Sequence, residues 1–361
     1  MTKGVEQTVK ALLKPNWNQG FELAEVPLPV PDEGEVRVKV RGAAICGSDL
    51  HIYESAPGYE WLSLPVIPGH ETMGVVELLG PGVDTRWLGR RIIVNPYIPC
   101  GKCRMCRSGQ ENLCDGGKTV LDKIPSQSLQ IGFRRPGGMA ERLIVPVSNL
   151  LPIDDSISDE AASMMESFAV CVHAVERVRL PEHGVALVIG PGPIGLGTVA
   201  ALSVSGLDEV LVAGLEVDAK RLEIASRLGA TRTVDTRRES LLKVVQEITQ
   251  GQGVDVVFDC SGHPDGLSEA ITAVRRGGVV VLVGIYGRPA PLPANAVVRG
   301  EVSVVCTYGT TPRAFQRAID LVAGGEVDLS PMITHVVSLS DAEAGFCAAL
   351  SKQGCKVVLQ P

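Results

Sequence analysis

The distribution of hydrophobic and polar residues changes character along the chain. Over Val36–Arg41, valine alternates with arginine or lysine, a period of two that is typical of an antiparallel strand with one exposed face. Two further strands are predicted over Val75–Gly82 and Leu88–Val94, with a Gly-Pro-Gly turn nearby. Residues 1–45 are predicted to be β-rich, and the first part of the chain is expected to form a small antiparallel barrel.

The second half shows a different pattern, in which continuous apolar runs alternate with segments of helical period. Each run predicts a buried parallel strand, and the alternation predicts a doubly wound α/β sheet. The predicted strands begin with the apolar run at Val185 and continue over Asp208–Glu216, Val254–Gly262, Gly278–Gly287 and Glu301–Cys306. The predicted helices cover Ser158–Val175, a segment from Asp218 to Gly229, Phe315–Gly324 and Asp341–Ser351, before a last strand over Cys355–Leu359.

The central motif is the glycine turn that ends the first of these strands. Glycine occupies positions 190, 192 and 195, so the segment has the form GxGxxG between a strand and a helix. Gly190 permits the turn, Gly192 admits a pyrophosphate close to the backbone, and Gly195 allows the helix to pack tightly. The helix start offers free N–H groups to the phosphates. Gly184–Leu207 also lacks charge over a length that could span a bilayer, but its Gly/Pro cluster disfavours a membrane helix.

Other residues of this half are predicted to contact a dinucleotide. Glu216 ends the second strand about 20 residues after the turn, where an acid binds the adenosine ribose. Asp218 competes for that role, although it is also a plausible helix N-cap. Because ligands bind beyond the carboxyl ends of parallel strands, Cys260–Gly262 and Val283–Ile285 are expected near the nicotinamide, or are ordinary turns.

Composition and charge narrow the class of protein. The 361 residues are 45% apolar and 21% charged, which indicates a globular chain of two or three domains. A net charge of −7 disfavours nucleic acid and anionic membranes as partners. The N-terminus has no signal-peptide pattern, and ten cysteines in a chain of this length do not resemble a disulfide scaffold. These features predict a protein of the reducing cytoplasm.

Four cysteines are closely spaced in a loop, as Cys100-x2-Cys103-x2-Cys106-x7-Cys114. The spacing is typical of a closed tetrahedral zinc site with a structural role. An iron–sulfur cluster is the alternative for four thiolates, whereas a redox CxxC pair needs no third and fourth partner.

A second group of metal-binding residue types is dispersed along the chain. Cys46 lies in a Cys-Gly-Ser-Asp segment, and His70 and Glu71 follow a Pro-Gly turn. Glu166 lies among apolar residues, where a carboxylate is costly to bury unless it is paired or binds metal. The alternative interpretation is that Glu166 occupies a helix position that faces solvent. Together these residues indicate a catalytic zinc site, although a cysteine such as Cys46 is, taken alone, more often a core residue than a ligand.

In their order along the chain, these motifs resemble the zinc-dependent medium-chain dehydrogenase/reductase family. Glu166 in place of a cysteine, and the HIYE and RRPGGMAE stretches, are similar to the polyol (sorbitol), threonine and 2,3-butanediol dehydrogenase branch. The resemblance implies a GroES-like catalytic domain over 1–161, completed by 309–361, and a Rossmann domain over 162–308. It also implies two zinc ions per chain, NAD, a small alcohol substrate and a homo-oligomer, either dimeric or tetrameric.

The resemblance assigns roles to individual residues. Ser48 and His51 align with a proton relay, and Glu71 with a carboxylate that enters or leaves the zinc shell. The remaining assignments are catalytic zinc at Cys46, His70 and Glu166, structural zinc at Cys100, Cys103, Cys106 and Cys114, and cofactor binding at Gly190, Gly192, Pro193, Ile194, Gly195, Glu216, Arg221, Cys260, Ser261, Val283 and Ile285. Many relatives have proline where this chain has Ser167, and many have aspartate at the position of Glu216.

The expected reaction is oxidation of a secondary alcohol of a polyol, sugar alcohol or cyclitol, with hydride transfer to NAD. Arg134–Pro136 favours polyols, whereas HIYE and Asp328–His335 are similar to threonine dehydrogenases, so threonine or a diol is the alternative. A zinc-free reductase or a non-catalytic nucleotide-binding protein is a further alternative, but such relatives lack the two metal-binding sets.

Overall fold

The computed structural model describes residues 7–114, 116, 129–352 and 354–361. The chain divides into two compact units. The first contains the residues up to Glu166 together with Ile333–Ser351 and Lys356–Pro361, and the second contains Ser167–Met332 and Lys352–Cys355. The helix and loop that follow residue 308, up to Met332, belong to the second unit.

The first unit is mostly β-structure. Its strands are β1 Thr8–Leu13, β2 Glu22–Pro27, β3 Glu35–Ala44, β4 Glu71–Leu79, β5 Arg91–Val94, β6 Tyr97–Ile98, β7 Leu129–Gln130, β8 Arg142–Pro146, β9 Leu150–Pro152, and, after the second unit, β16 Ile333–Ser338 and β17 Lys356–Gln360. Its helices are α1 Gly47–Tyr53, α2 Arg104–Arg107, α3 Asp159–Ser163 and α11 Ala342–Leu350.

Strand β3 is the centre of the main sheet of this unit. It pairs antiparallel with β4, β8 and β17 within a seven-stranded sheet. The predicted alternation is confirmed, since Val36, Val38 and Val40 are buried in one hydrophobic cluster. Strand β17 pairs with the end of β3, so a segment from the far end of the chain lies beside the residues that precede Cys46.

The second unit is built on parallel strands. These are β10 Val185–Ile189, β11 Glu209–Gly214, β12 Arg232–Asp235, β13 Val254–Asp259, β14 Val274–Leu282 and β15 Ser303–Cys306. Its helices are α4 Met165–Glu176, which begins in the first unit, and α5 Pro193–Leu202, α6 Ala219–Arg227, α7 Leu241–Ile248, α8 Pro264–Ala273, α9 Ala294–Gly300 and α10 Pro312–Ala323.

The strand order of the second unit confirms the predicted doubly wound sheet. It is β12-β11-β10-β13-β14-β15, with all neighbours parallel. When these six strands are numbered 1 to 6 along the chain, their order in the sheet is 3-2-1-4-5-6, which is the arrangement of dinucleotide-binding sheets. The order of the strands reverses between β10 and β13. The loop after β10 therefore lies where such sheets bind ligands.

The loop between β10 and α5 has the geometry that its glycines predict. Gly190 has φ +92°, and a Cβ there would lie 2.9 Å from Cα of Ser261. A Cβ on Gly195 would lie 1.9 Å from the carbonyl oxygen of Gly190, whereas one on Gly192 would meet nothing within 4 Å. Gly190 and Gly195 are therefore required by packing, and Gly192 leaves open space above the backbone.

The helix expected over Ser158–Val175 is interrupted. Ser158 caps α3, accepting a hydrogen bond from the amide of Ala161 at 3.2 Å, but α3 ends at Ser163 and α4 begins at Met165. Met164 leaves the helical conformation with φ −99° and ψ 7°. No glycine or proline marks this break, and both methionines are fully buried, so packing rather than local propensity determines it.

The charge-free stretch around the glycine turn does not form one long helix, because β10 and α5 divide it. In the part of the chain that the structure describes, the helices are too short or too polar to cross a bilayer.

Candidate active site, zinc lobe and nucleotide turn

Cys46, His70 and Glu71 come together in the first unit. The Cys46 sulfur, a ring nitrogen of His70 and a carboxylate oxygen of Glu71 all lie within 4.8 Å of one another. The pairing of β3 with β4 brings them together, because Ala44 is the register partner of Glu71. Cys46 follows at the N-terminus of α1, and His70 directly precedes β4.

Gly69 explains why the turn before β4 has the sequence Pro-Gly-His-Glu. Its φ is +97°, and a Cβ there would lie 2.7 Å from the backbone nitrogen of Met139. Only glycine meets both conditions, so this turn holds the His70 backbone against the segment that precedes β8. His70 and Glu71 are buried, as expected for residues that serve a site rather than a surface.

Asp49 is a residue of this site that the sequence reasoning missed. Its fully buried carboxylate accepts the Cys46 amide hydrogen at 3.0 Å, and its other oxygen lies 3.7 Å from Nδ1 of His70. Burial raises the pKa of Asp49, and the nearby His70 opposes that shift. An acid that orients the second ring nitrogen is a common support of a metal-binding histidine. Its position three residues after Cys46 was the available signal.

The charges around His70 are predominantly acidic. Burial lowers the pKa of His70, but Asp49 and Cys46 outweigh this effect and raise it to about 10. Burial raises the pKa of Glu166 to about 7, while His70 acts in the opposite direction. Glu166 is only 4% exposed, so the alternative of a solvent-facing glutamate is wrong. Glu166 lies beside the set of Cys46, His70 and Glu71 but does not belong to the set within 4.8 Å.

Lys356 is a second residue that the sequence reasoning missed. Its ammonium donates to both carboxylate oxygens of Glu71, and both side chains are buried. The carboxylate is therefore compensated by a charge from β17, 285 residues further along the chain. A lysine in the apolar stretch that forms β17 is only a weak indication of a buried ion pair, because no neighbouring residue in the sequence identifies its partner.

The donor atoms of this cluster fit a zinc ion. A thiolate, an imidazole and carboxylates are the ligands that catalytic zinc takes, usually three from the protein with one position left for substrate or water. The three closest donors are Cys46, His70 and Glu71, and the Glu166 carboxylate is near enough to be a fourth.

The four-cysteine loop forms a second cluster. The sulfurs of Cys100, Cys103, Cys106 and Cys114 lie within 4.8 Å of one another, and the structure describes no disulfide among them. Amides of Cys100, Cys103 and Cys106 donate to neighbouring sulfurs at 3.3–3.4 Å. Backbone amides of Lys102 and Cys103 lower the pKa of Cys100 to about 7, which favours a thiolate. Burial raises the pKa of Cys106 and of Cys114. Four sulfurs at this spacing fit a closed tetrahedral site.

The predicted relay residues lie on one helix. Ser48 and His51 are three positions apart on α1, so their side chains are neighbours on one helix surface. Ser48 is half-buried and His51 is exposed, with its ring stacked on Tyr59 at 5.8 Å between centroids.

The predicted nucleotide contacts surround the glycine turn of the second unit. Pro193 and Ile194 begin α5, and Ser261 lies against Gly190 after β13. The remaining positions are Cys260 at the end of β13, Val283 just after β14, exposed Ile285, and Glu216 in a short 3-10 helix after β11.

Two of these side chains already have protein partners. The Glu216 carboxylate lies 3.5 Å from Arg238. Arg221 is 8% exposed, and its Nε donates to the carbonyl of Gly354 at 2.8 Å. Asp218 accepts the Leu215 amide at 3.1 Å rather than capping α6, so it serves the turn that presents Glu216.

Comparison with known proteins assigns this combination of folds to a class. Residues 32–155 match the family described as alcohol dehydrogenase GroES-like domain, and residues 193–324 match the family described as zinc-binding dehydrogenase. The chain is 34% identical over 356 residues to a Chromobacterium violaceum protein named L-threonine 3-dehydrogenase, covering 97% of this chain and 99% of that protein.

Solved structures give the same result. A protein from Escherichia coli CFT073, described as a short chain alcohol dehydrogenase complexed with NADH, superposes with a TM-score of 0.88 at 29% identity, covering 98% of this chain and 99% of the other. The 2R,3R-butanediol dehydrogenase of Bacillus subtilis superposes with a TM-score of 0.85 at 28% identity, with the same coverage.

The fold and the metal-binding residues thus define an oxidoreductase with a GroES-like domain and a Rossmann-like domain, as the sequence predicts. The chain belongs to the zinc-binding dehydrogenase family of medium-chain alcohol dehydrogenases.

Proposed function

We propose that this chain is a zinc- and NAD-dependent dehydrogenase that oxidises a secondary alcohol of a polyol, sugar alcohol or cyclitol to a ketone. The observation that carries the proposal is the convergence of Cys46, His70 and Glu71 within 4.8 Å. A separate unit of the same chain supplies the glycine turn of a dinucleotide-binding sheet.

In this proposal, Cys46, His70 and Glu166 hold the catalytic zinc. Glu71, compensated by Lys356, is the carboxylate that exchanges with substrate or water. Cys100, Cys103, Cys106 and Cys114 hold a second zinc ion with a structural role. Zinc would supply Lewis acidity toward the substrate hydroxyl, and NAD would accept the hydride.

The chain's own residues position the site and move the proton. The Asp49 carboxylate faces Nδ1 of His70 at 3.7 Å, where its charge favours one orientation of the ring, and it accepts the Cys46 amide hydrogen that fixes the start of α1. The Ser48 hydroxyl accepts the proton of the substrate alcohol and passes its own to His51, whose exposed ring releases a proton to water.

The proposed cofactor is NAD rather than NADP. Glu216 follows β11, where it is placed to accept hydrogen bonds from ribose hydroxyls. A 2′-phosphate at that position would face a like charge, which costs roughly 1–4 kcal/mol at 4 Å in wet surroundings. A higher kcat/KM with NADP than with NAD would contradict this assignment.

The experiment is a screen of NADH production with polyols, cyclitols, L-threonine and 2,3-butanediol. Cys46→Ser should abolish turnover while its circular dichroism spectrum remains that of the wild type. Cys347→Ser, which changes an exposed thiol away from both clusters, is the matched control and should retain full activity. If no secondary alcohol reduces NAD, or if Cys46→Ser remains active, the proposal is wrong.

L-Threonine is a second candidate substrate. The relative from Chromobacterium violaceum bears that name and matches nearly the whole chain. The same screen separates the two candidates, because activity on threonine alone would replace the polyol assignment.

Assembly, location and domain limits belong to the same proposal. We place β15 at the interface of a homodimer or homotetramer, because it is the edge strand of its sheet. Cytoplasmic location is supported by the thiol-rich metal loop and by the lack of disulfides among the described residues. We keep a catalytic domain formed by 1–161 and 309–361 and a nucleotide domain over 162–308 as the domain proposal.

A further inference from the structure

A row of aromatic side chains in the first unit connects the two ends of the proposed catalytic machinery. His51 stacks on Tyr59 with centroids 5.8 Å apart, and Tyr59 stacks on Trp61 at 6.4 Å. Phe133 lies 6.0 Å from Trp61 and 4.8 Å from the ring of His70. Tyr59, Trp61 and Phe133, here called the aromatic row, therefore lie between the proposed relay histidine and a proposed zinc ligand.

The aromatic row carries one cationic side chain. The guanidinium carbon of Arg134 lies 4.8 Å from the Trp61 ring centroid. Stacking occupies the face of a guanidinium and leaves its in-plane N–H groups free to bind a carboxylate or a phosphate in a bidentate manner. The position of Arg134 thus presents hydrogen-bond donors at the edge of a surface that reaches His70.

Arg134 lacks an acidic partner of the kind that several arginines of this unit possess. Among the described residues, no carboxylate lies within 4.0 Å of its guanidinium, and its buried Nε has no hydrogen-bond partner. The adjacent Arg135 binds Glu35 at 2.7 Å, and Arg37 binds Glu77 at 2.6 Å. A buried guanidinium nitrogen without an acceptor is uncommon, because such a group gives up its hydration without a replacement.

We propose that Arg134 is a specificity-determining residue that binds an oxyanion of the substrate, a carboxylate or a phosphate. The substrate is then a hydroxylated acid or a phosphorylated polyol rather than a neutral polyol. Its carbon chain lies along the aromatic row, with the anion at Arg134 and the reacting carbinol toward His70. This inference rests on the proposed function and narrows its substrate class.

The first test compares alcohols of related carbon skeleton that do or do not carry an anionic group. Wild-type protein is assayed with galactitol, galactonate and galactitol 1-phosphate, and with 2,3-butanediol and L-threonine. The compound that carries a carboxylate or a phosphate should have a higher kcat/KM than its counterpart without one. Comparison of galactonate with galactitol 1-phosphate identifies which of the two groups is bound. Neutral compounds that are turned over as well as their anionic counterparts would overturn the inference and leave the proposed function intact.

The second test removes the cation. Arg134→Gln should lower kcat/KM for the anionic substrate by about 10- to 100-fold, mainly through KM, and should lower kcat/KM for neutral alcohols much less. Arg134→Lys should recover part of the loss, because lysine restores the positive charge but not the paired N–H groups of the guanidinium. Arg86→Gln is the matched control, because Arg86 also lies over a tryptophan, Trp87 at 5.7 Å, outside the aromatic row. Equal losses for charged and neutral substrates would contradict the assignment.

The third test does not depend on turnover. Because Arg134 stacks on Trp61, binding of galactonate or galactitol 1-phosphate should change tryptophan fluorescence, and the change should vanish in Arg134→Gln but persist in Arg86→Gln. If no alcohol reduces NAD but the titration succeeds, the proposed function fails and the anion site stands. If neither anion produces a saturable signal that depends on Arg134, the inference is wrong.

Discussion

At the scale of single residues, the chemistry of the site depends on side chains whose partners are distant in sequence. The grouping of Cys46, His70 and Glu71 could be predicted because residue types that can bind metal are few and stand out in apolar or turn contexts. Lys356 and the aromatic row could not, because their roles arise from contacts across β3–β4–β17 and between loops. Asp49 is intermediate: its sequence position was visible, but its burial against His70 was not.

Asp49→Asn tests the support of His70 at this scale. The variant keeps the size of the side chain but removes the charge that faces Nδ1 of His70, so the ring loses its orienting partner. We expect about a 10- to 100-fold loss in zinc affinity of the catalytic site, measured by competition with a chromogenic chelator. Asp84→Asn, which alters an exposed helix cap, should bind zinc as the wild type does. Unchanged affinity in Asp49→Asn would show that the carboxylate has no such role.

At the scale of elements, the glycine turn offers a pair of variants that are both expected to weaken NADH binding but differ in their expected stability. Gly195→Ala would place a Cβ 1.9 Å from the Gly190 carbonyl, so the β10–α5 loop must shift. We expect a lower melting temperature together with weak NADH binding. In Gly192→Ala, the new methyl group meets no protein atom within 4 Å and the backbone φ is −70°, so stability should be unchanged. The methyl group should instead hinder the pyrophosphate and weaken NADH binding. Differential scanning calorimetry and NADH fluorescence titration separate the two effects.

The helix α3 is attached to the sheet of the first unit through Asp159. This carboxylate accepts hydrogen bonds from Arg91 at 2.7 Å and from Arg41 at 3.1 Å. Burial raises the pKa of Asp159, but the two arginines outweigh it, and the net pKa is lowered. A carboxyl group with a lowered pKa in the folded state stabilises the protein above its unfolded pKa, about 3.9, and this contribution is lost as the pH falls further.

Asp159→Asn should therefore unfold at lower urea concentration than the wild type at pH 7, and the difference should shrink below about pH 4. Asp155→Asn is the control, since its carboxylate contacts the same Arg91 at 3.3 Å but is 95% exposed. An ion pair with an exposed carboxylate contributes little to the free energy of unfolding, so Asp155→Asn should unfold as the wild type does at pH 7 and below about pH 4. A difference between Asp159→Asn and wild type that does not depend on pH would rule out this ion-pair explanation.

Element limits were predictable to the extent that periodicity determines them. The strands β10, β11, β13 and β15 lie inside their predicted segments, because continuous apolar runs bounded by turns are strong local signals. The break between α3 and α4 was not predictable, since Met164 and Met165 are good helix formers and only their burial explains it.

At the scale of the whole molecule, the two metal clusters predict the behaviour of the purified protein. We expect about two zinc ions per chain by mass spectrometry of the metal content. A mild chelator should remove the ion of the Cys46 cluster first, with loss of activity and little loss of stability, because a catalytic site is open to ligands. Cys103→Ser should instead retain one zinc and have a lower melting temperature, because a closed site contributes to folding. A single zinc that is removed without loss of activity would contradict both assignments.

The discontinuity of the first unit has a consequence for biosynthesis. The main segment of the second unit, Ser167–Met332, is synthesised before β16 and β17, whereas its short segment Lys352–Cys355 follows β16. Until Lys356 has been translated, β3 lacks one of its neighbours and the Glu71 carboxylate lacks its counter-charge. Most of the nucleotide-binding half can thus begin to fold during translation, whereas the Glu71 side of the catalytic centre is complete only after Lys356 has been added.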